Sequence, residues 1–489
     1  MTYARRTDRE LRVRAVERAG AASTRSRAVV AAGLIAVAAG GWPRSADAHV
    51  EPELMGAVRK AAEGGEAGNA AARAARAAGS AETGGVARFA LIVGVNRGVD
   101  PELPQLHYAD DDAARYSELF GALGVRVHLL TRADENTRRI SADAIRDARP
   151  PVRAELARAV AELAREVATA RELGRRVVFY FIYAGHGNAS GNTAYLALED
   201  QRLDTGEIER EIVDGVHANE THLIIDACYS YSLAYGRGTG GIRRPIGPFA
   251  PTEGLARRSD VGLLLSTTSA QESHEWSNFQ AGIFSHEVRS GLYGAADVDG
   301  DGQVSYLEIA SFVSRANDAI PNERYRPNVF AHAPRGASQL VDLRQGPGRR
   351  LKVEAAGSHY RLEDLLGVPL ADFNYPPGQS LSLVVPTGAR PLFLRRVDDG
   401  RQLAIPAGAD AISVGALAQR GPSHGMPDVG PAEYAFNLIF SLPFDEEALA
   451  SYIGRPHETA PRAVRHRARR AATSSPGRAP IAATLSARE

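Results

Sequence analysis

The chain has 489 residues, with 58 Lys plus Arg against 58 Asp plus Glu and 44% hydrophobic residues. At about 150 residues per domain that length suits roughly three domains, and the composition excludes global disorder and a multi-span membrane protein. The balanced charge argues against a nucleic-acid or membrane-surface protein, and the single cysteine, Cys228, excludes a disulfide framework or a cysteine zinc site within one chain.

Residues 1–27 carry eight basic and three acidic side chains, followed by an apolar run from Ala28 to Trp42 and then Ala46-Asp47-Ala48. That is the pattern of an export signal over residues 1–48, with an apolar run short of the roughly 20 residues that span a bilayer. The expectation is an exported chain, periplasmic or secreted, whose mature part starts near His49 and has no membrane span. Residues 49–87, rich in Ala, Gly, Glu and Arg, read as a linker or pro-segment.

From Arg88 the pattern changes. Five apolar runs of strand length follow, Phe89–Val95, Val125–Leu130, Val177–Tyr183, Thr221–Asp226 and Gly262–Ser266, separated by helical patterns such as Ala109–Leu123 and Val152–Ala170. Near-continuous apolar strands alternating with helices predict an α/β fold, a mostly parallel sheet with helices on both faces. Residues 88–343 read as one such domain. From Leu351 shorter runs with turn signals, among them SLSLVVP, PLFLRRV and EYAFNLIF, predict a small C-terminal β-rich domain over residues 351–454. Residues 455–489 hold eight arginines and few apolar residues and read as a disordered basic tail. The neutral total is therefore an average: residues 88–343 carry 27 basic against 35 acidic side chains, which suits a basic substrate.

In an open parallel sheet the functional crevice lies beyond the carboxyl ends of the strands. The run Val177–Tyr183 leads into Ala184-Gly185-His186-Gly187, and Thr221–Asp226 leads into Ala227-Cys228-Tyr229-Ser230. A histidine and the only cysteine thus follow two strands in the same relative position. A neighbouring imidazole lowers a thiol's pKa and later protonates the leaving amine, so His186 as general base and Cys228 as nucleophile form a candidate dyad. The backbone N–H groups of Gly187 and Cys228 are the candidate oxyanion hole. The plainer alternative is a core cysteine and a structural histidine; the strand-end position of both favours the dyad.

FALIVGVN at the first strand, YAGHG after the third and DACYS after the fourth are together similar to the caspase-like clan of cysteine peptidases, particularly its bacterial metacaspase-type branch. The resemblance covers about Arg88 to Leu343 and implies a caspase fold that cleaves peptide bonds with His186 and Cys228. It also implies a specificity. Two residues before the nucleophile true caspases carry glutamine; here stands Asp226, as in metacaspases, whose acidic pocket takes arginine or lysine. LHYADDDA matches the metacaspase motif that supplies a second pocket acid, here Asp112. Where metacaspases have Ser or Thr two residues before the histidine, this chain has Ala184, so one pocket hydrogen bond is expected to be missing. Asp110 to Asp112 equally suit a helix start. The loop Leu233–Asp260, with Arg237, Arg243, Arg244, Arg257 and Arg258, corresponds to the linker that caspases cut during maturation, and an arginine-preferring site predicts self-cleavage there.

Independently of that resemblance, residues 297–308 fit the EF-hand loop pattern, with Asp297, Asp299, Asp301, the carbonyl of Gln303 and a potentially bidentate Glu308 as candidate Ca2+ ligands and Gly302 at the sharp turn. The incoming helix is interrupted by Gly291 and Gly294, while Ser305 to Ala316 suits an exiting helix. The alternative is an Asp/Gly turn with no ion. No organic cofactor is expected. Glu272, His274, Glu275 and Trp276 are either cleft-lining or ordinary loop residues, and His274 and His286 fit no metal-ligand spacing.

The leading reading is an exported cysteine endopeptidase acting on peptide or protein substrates with basic residues, of open oligomeric state. The competing reading is a catalytically idle caspase-fold module that binds calcium or a partner.

Overall fold

The structure, a computed structural model, describes residues 85–190, 193–227, 254–266, 275–322, 325–354, 357–386, 391–415 and 431–454. The export signal, residues 49–84 of the following segment, Cys228, residues 233–253 of the arginine-bearing loop, Glu272, His274 and the basic tail lie outside the described residues.

The central sheet has six strands, β1 (Val86–Val95), β2 (Arg126–Thr131), β3 (Arg176–Gly185), β4 (Glu220–Asp226), β5 (Val261–Ser266) and β6 (Val329–His332), in the spatial order β6-β5-β4-β3-β1-β2. The first five pair in parallel and only the edge strand β6 is antiparallel, to β5. The five apolar runs are therefore the five parallel strands. β6 escaped notice because VFAH is short and lies at an edge.

Alternation along the strands explains why the runs are apolar throughout. Phe89, Leu91, Val93, Phe179, Phe181, Leu223 and Ile225 pack with Leu156, Leu163 and Val167 of helix α2 (Arg153–Glu172) on one face. Ala90, Ile92, Tyr180, Ile182, Ile224 and Leu264 pack on the other with α1 (Ala109–Ala122), α3 (Ile283–Ser290) and α4 (Tyr306–Asn317). Successive strand residues point to opposite faces, so a sheet sandwiched by helices needs no polar set.

The C-terminal strands β7 (Arg349–Glu354), β8 (His359–Asp364), β9 (Pro369–Asn374), β10 (Ser380–Val385), β11 (Leu392–Arg396), β12 (Gln402–Ile405) and β13 (Ala411–Ser413) form two sheets, β10-β7-β13 and β9-β8-β11-β12. EYAFNLIF is not a strand. Its first part lies in a helix, Pro431–Phe436, and the rest in the turn that follows, and Ala435, Phe436, Ile439 and Phe440 are all buried. This segment joins the two halves: Phe440 donates its N–H to the Ala316 carbonyl at 3.0 Å, Phe444 donates to Asn374 at 2.8 Å, and both rings pack on Phe312. The buried apolar cluster consequently runs without a break from β1 to β11. Among the described residues no helix is long and apolar enough to cross a membrane.

Candidate active site

The parallel register of β3 and β4 aligns Ala184 with Asp226, and β1 aligns Gly94 with Ala184. His186 and Cys228 each follow an aligned residue by two positions in the sequence, and the described part of the second segment ends at Ala227. His186 is buried. Its Nε2 lies 2.6 Å from the Pro104 carbonyl oxygen. A carbonyl only accepts, so Nε2 carries the proton and, in the neutral ring, Nδ1 keeps a lone pair. The backbone of His186 is fixed as well: Tyr183 Oη lies 2.8 Å from the His186 carbonyl and 2.7 Å from that of Ala197, and the Ala197 N–H donates to His186 at 3.0 Å. The loop carrying Pro104 is tied down through Asp100, which accepts from Tyr195 Oη at 2.8 Å and from Arg202 Nε at 2.9 Å. A backbone carbonyl leaves no mark in sequence, and Pro104 could not have been picked from it.

Beside the strand ends gather several carboxylates with different partners. Asp226 Oδ2 accepts from the Ser285 hydroxyl at 2.7 Å and its N–H at 3.1 Å, while Oδ1 has no partner among the described residues. Burial pushes Asp226 up to about 7, with the Ser285 bonds opposing and Asp112 adding to the rise. The hydroxyl bonded to Asp226 is that of Ser285, and Ala184 packs against Leu106 and Ala109. Asp112, expected in the same pocket, faces the chain's own cation: Oδ1 lies 2.5 Å from Arg289 Nη1 and Oδ2 accepts from the Gly282 N–H at 2.8 Å. A Cβ at Gly282 would sit 2.8 Å from Asp226 Oδ2 and 3.1 Å from Asp112 Oδ2, so a larger residue there must displace the Asp226 carboxylate. Asp110 is structural, accepting from Asn96 Nδ2 at 2.7 Å, Thr137 Oγ1 at 2.9 Å and the Asp134 N–H at 2.8 Å. Glu275 accepts the N–H groups of His107 and Tyr108 at the start of α1, and Trp276 is buried against Phe279 and Phe436.

The model of the caspase domain, peptidase C14, matches residues 87–336. The chain belongs to the caspase domain family. Among solved structures it is similar to caspase-1 from Spodoptera frugiperda, with 14% identity over 53% of this chain and 91% of that one at a TM-score of 0.31. It is also similar to pro-sf-caspase-1, with 14% identity over 52% and 90% at 0.32. The Drosophila initiator caspase Dronc gives 11% identity over 54% and 89% at 0.34. No curated protein matches the chain. Family membership supports a cysteine-type peptidase acting on protein substrates.

The caspase domain is bound to the C-terminal sheets through the same helix that lines the acids. α3 presents Ser285 to Asp226, Arg289 to Asp112 and His286 to Asp372 of β9, whose carboxylate is fully buried. Burial alone would raise Asp372, but Arg361, His286 and His359 together hold it well below the usual carboxylate range. His286 Nε2 approaches it at 2.7 Å, His359 Nε2 at 2.5 Å and Arg361 Nε at 3.0 Å, and the Asp372 N–H donates to Ser290 Oγ at 3.0 Å. His286, which fits no metal spacing, is thus a domain-joining residue.

Downstream of α3 in the caspase domain, oxygens of Asp297, Asp299 and Glu308 lie within 4.8 Å of one another. Burial, with neighbouring carboxylates adding, pushes Asp297 up to about 7 and Glu308 to about 8. Gly302 takes φ +79°, as the sharp turn requires. Of the five candidate ligands, Asp301 is outside this group; its side chain accepts from the Gln303 N–H at 2.8 Å and from Gln303 Nε2 at 3.2 Å. The loop's short strand, Gln303–Ser305, pairs with Gln339–Asp342, and the incoming side is a π-helical turn, Gly291–Ala295.

Proposed function

We propose that this caspase-family protein is an exported, periplasmic or secreted, cysteine endopeptidase that cleaves after Arg or Lys with Cys228 as nucleophile and His186 as general base. The observation that supports the reading is the aligned Ala184 and Asp226 pair, which His186 and Cys228 each follow by two residues in the sequence, with the Pro104 carbonyl 2.6 Å from His186 Nε2. In this scheme Nδ1 of His186 takes the thiol proton and the thiolate attacks the scissile carbonyl carbon. The tetrahedral oxyanion lies toward the N–H groups of Gly187 and Cys228. Collapse breaks the C–N bond as Nδ1–H gives its proton to the leaving amine. Water, deprotonated by the same nitrogen, then cleaves the thioester and returns the thiol.

Asp226, at the carboxyl end of β4 and two residues before Cys228, supports the basic specificity: its hydrogen-bond partners among the described residues are the neutral donors of Ser285. Cleavage in residues 233–260 by the same specificity belongs to this proposal. So does Ca2+ held by Asp297, Asp299 and Glu308, completed by Asp301 and the Gln303 carbonyl; the convergence of three buried or half-buried carboxylates on one point fits a hard divalent cation. Bound there, the ion would neutralise the repulsion among these acids and brace the start of α4.

The test is hydrolysis by the full chain of fluorogenic peptides ending in Arg, Lys or Asp, with and without calcium, beside Cys228→Ala. The proposal expects cleavage of the Arg and Lys peptides, lost in Cys228→Ala. Cleavage after Asp alone overturns the specificity, and no cleavage under any condition leaves the idle binding module. On a gel, a wild-type chain that stays as intact as Cys228→Ala sinks self-cleavage.

A further inference from the structure

The acids beside the strand ends differ in what already neutralises them. Asp111 is buried, with Arg115 at 3.7 Å one turn along α1 and no hydrogen bond to either oxygen among the described residues, and burial outweighs that cation and pushes it up to about 7. Glu275 has two backbone N–H groups at the positive end of that helix. Asp112 has Arg289, whose guanidinium is fully buried, stands 5.3 Å from the Tyr116 ring centroid, and has no further hydrogen-bond partner for Nε and Nη2 among the described residues. Burial would lower the Arg289 pKa, but Asp112 and Tyr116 raise it on balance, so the cation persists at every working pH. Among the described residues Asp226 has only the neutral donors of Ser285.

We infer that Arg289 is a specificity-determining residue: it occupies Asp112 as a built-in counter-ion, so that a basic substrate side chain answers to Asp226 alone. The inference rests on the proposed preference for Arg or Lys and narrows it from a two-acid to a one-acid pocket. The geometry supports the division. Among the described residues both oxygens of Asp112 are engaged by the chain itself, whereas only Oδ2 of Asp226 is. A guanidinium in contact with a carboxylate cancels most of its field at the distance of a second cation, so Asp112 adds little attraction for the substrate. Removing Asp112 alone would uncover Arg289, which would then repel the substrate cation or claim Asp226. Removing both members would restore the original charge around Asp226.

Agmatine, an alkylguanidine, reads the pocket without chemistry when titrated calorimetrically into full-length Cys228→Ala protein. Expected is a loss of at least about 30-fold in affinity on adding Asp226→Asn, since truncating one side of a desolvated ion pair removes about 2 kcal/mol or more. Asp112→Asn is expected to weaken binding by about tenfold, and adding Arg289→Gln to it to restore affinity to within about threefold of the parent. A double variant as weak as Asp112→Asn overturns the inference. Should the double variant not fold, a crystal structure of the agmatine complex decides in its place. Arg289 remaining on Asp112 with agmatine on Asp226 supports the inference, and agmatine on Asp112 refutes it. A parent protein that binds no agmatine, while the wild-type chain cleaves Asp-terminated peptides, refutes the basic pocket itself and the inference with it.

Discussion

Ser285→Ala tests the electrostatics of the pocket most sharply. The Ser285 hydroxyl donates to Asp226 Oδ2 at 2.7 Å, and the backbone N–H of the same residue, at 3.1 Å, is untouched by the substitution. A hydrogen bond to a charged group contributes about 1.5–3 kcal/mol, and each pKa unit corresponds to 1.36 kcal/mol. Because the N–H remains, the low end applies, about one unit. The sign follows from the charge: the hydroxyl favours the ionised carboxylate, so its loss raises a group that burial already holds at about 7. Only the ionised form attracts a guanidinium, and binding therefore strengthens as pH rises through that value. In Ser285→Ala the rise moves up by about one unit, to about 8, leaving affinity roughly fivefold weaker at pH 7 and nearly equal at pH 9. The assay is agmatine binding to Cys228→Ala protein between pH 5 and 9, which keeps the thiol out of the profile. Asp112 and Glu275 also face Asp226; Asp112 is held by Arg289 and Glu275 by two N–H groups, and both are common to the two proteins. A midpoint that stays in place or moves down refutes the reasoning.

Other expectations follow from single contacts. Gly282→Ala brings a Cβ within 2.8 Å of Asp226 Oδ2 and 3.1 Å of Asp112 Oδ2, so kcat/KM for Arg peptides falls by about tenfold or more while folding, read by circular dichroism, persists. Tyr183→Phe removes the hydroxyl that holds the His186 and Ala197 carbonyls; about 1–3 kcal/mol of stability is lost, and kcat falls more than KM rises. Asp372→Asn leaves His286, His359 and Arg361 without their buried carboxylate and costs about 3–5 kcal/mol, seen as a lower Tm; unchanged stability would contradict the domain-joining role. Calcium at about 100 times its Kd raises unfolding stability by about 2.7 kcal/mol, and Glu308→Gln removes most of that gain; an equal gain in the variant places the ion elsewhere.

What could be read from sequence followed from periodicity and strand ends. Runs such as VVFYFIY are apolar on both faces because both faces meet helices, so the parallel sheet and the positions of His186 and Asp226 were legible. Three kinds of feature were not. The Pro104 carbonyl is a backbone group. Ser285 and Arg289 sit on α3, 59 and 177 residues from their partners Asp226 and Asp112; their four-residue spacing puts them on one face, but nothing local says which acids that face meets. EYAFNLIF reads either way because a short apolar run is ambiguous between helix and strand; here it closes a helix and enters a turn whose Phe440 packs on Phe312. Asp112 reads equally as pocket acid and as helix start, and its partner Arg289 is distant in the chain.

The central claim is that Cys228 attacks a peptide carbonyl held by a basic residue beside it. A peptidyl-arginyl chloromethyl ketone, which alkylates a thiolate only when the arginine is seated, tests it directly by mass spectrometry of the intact chain. The account predicts one adduct, on Cys228, formed much faster than with the corresponding aspartyl reagent, slowed in His186→Ala and Asp226→Asn and absent in Cys228→Ala. An unlabelled wild-type chain, or an adduct that forms equally with the aspartyl reagent and without His186, contradicts it.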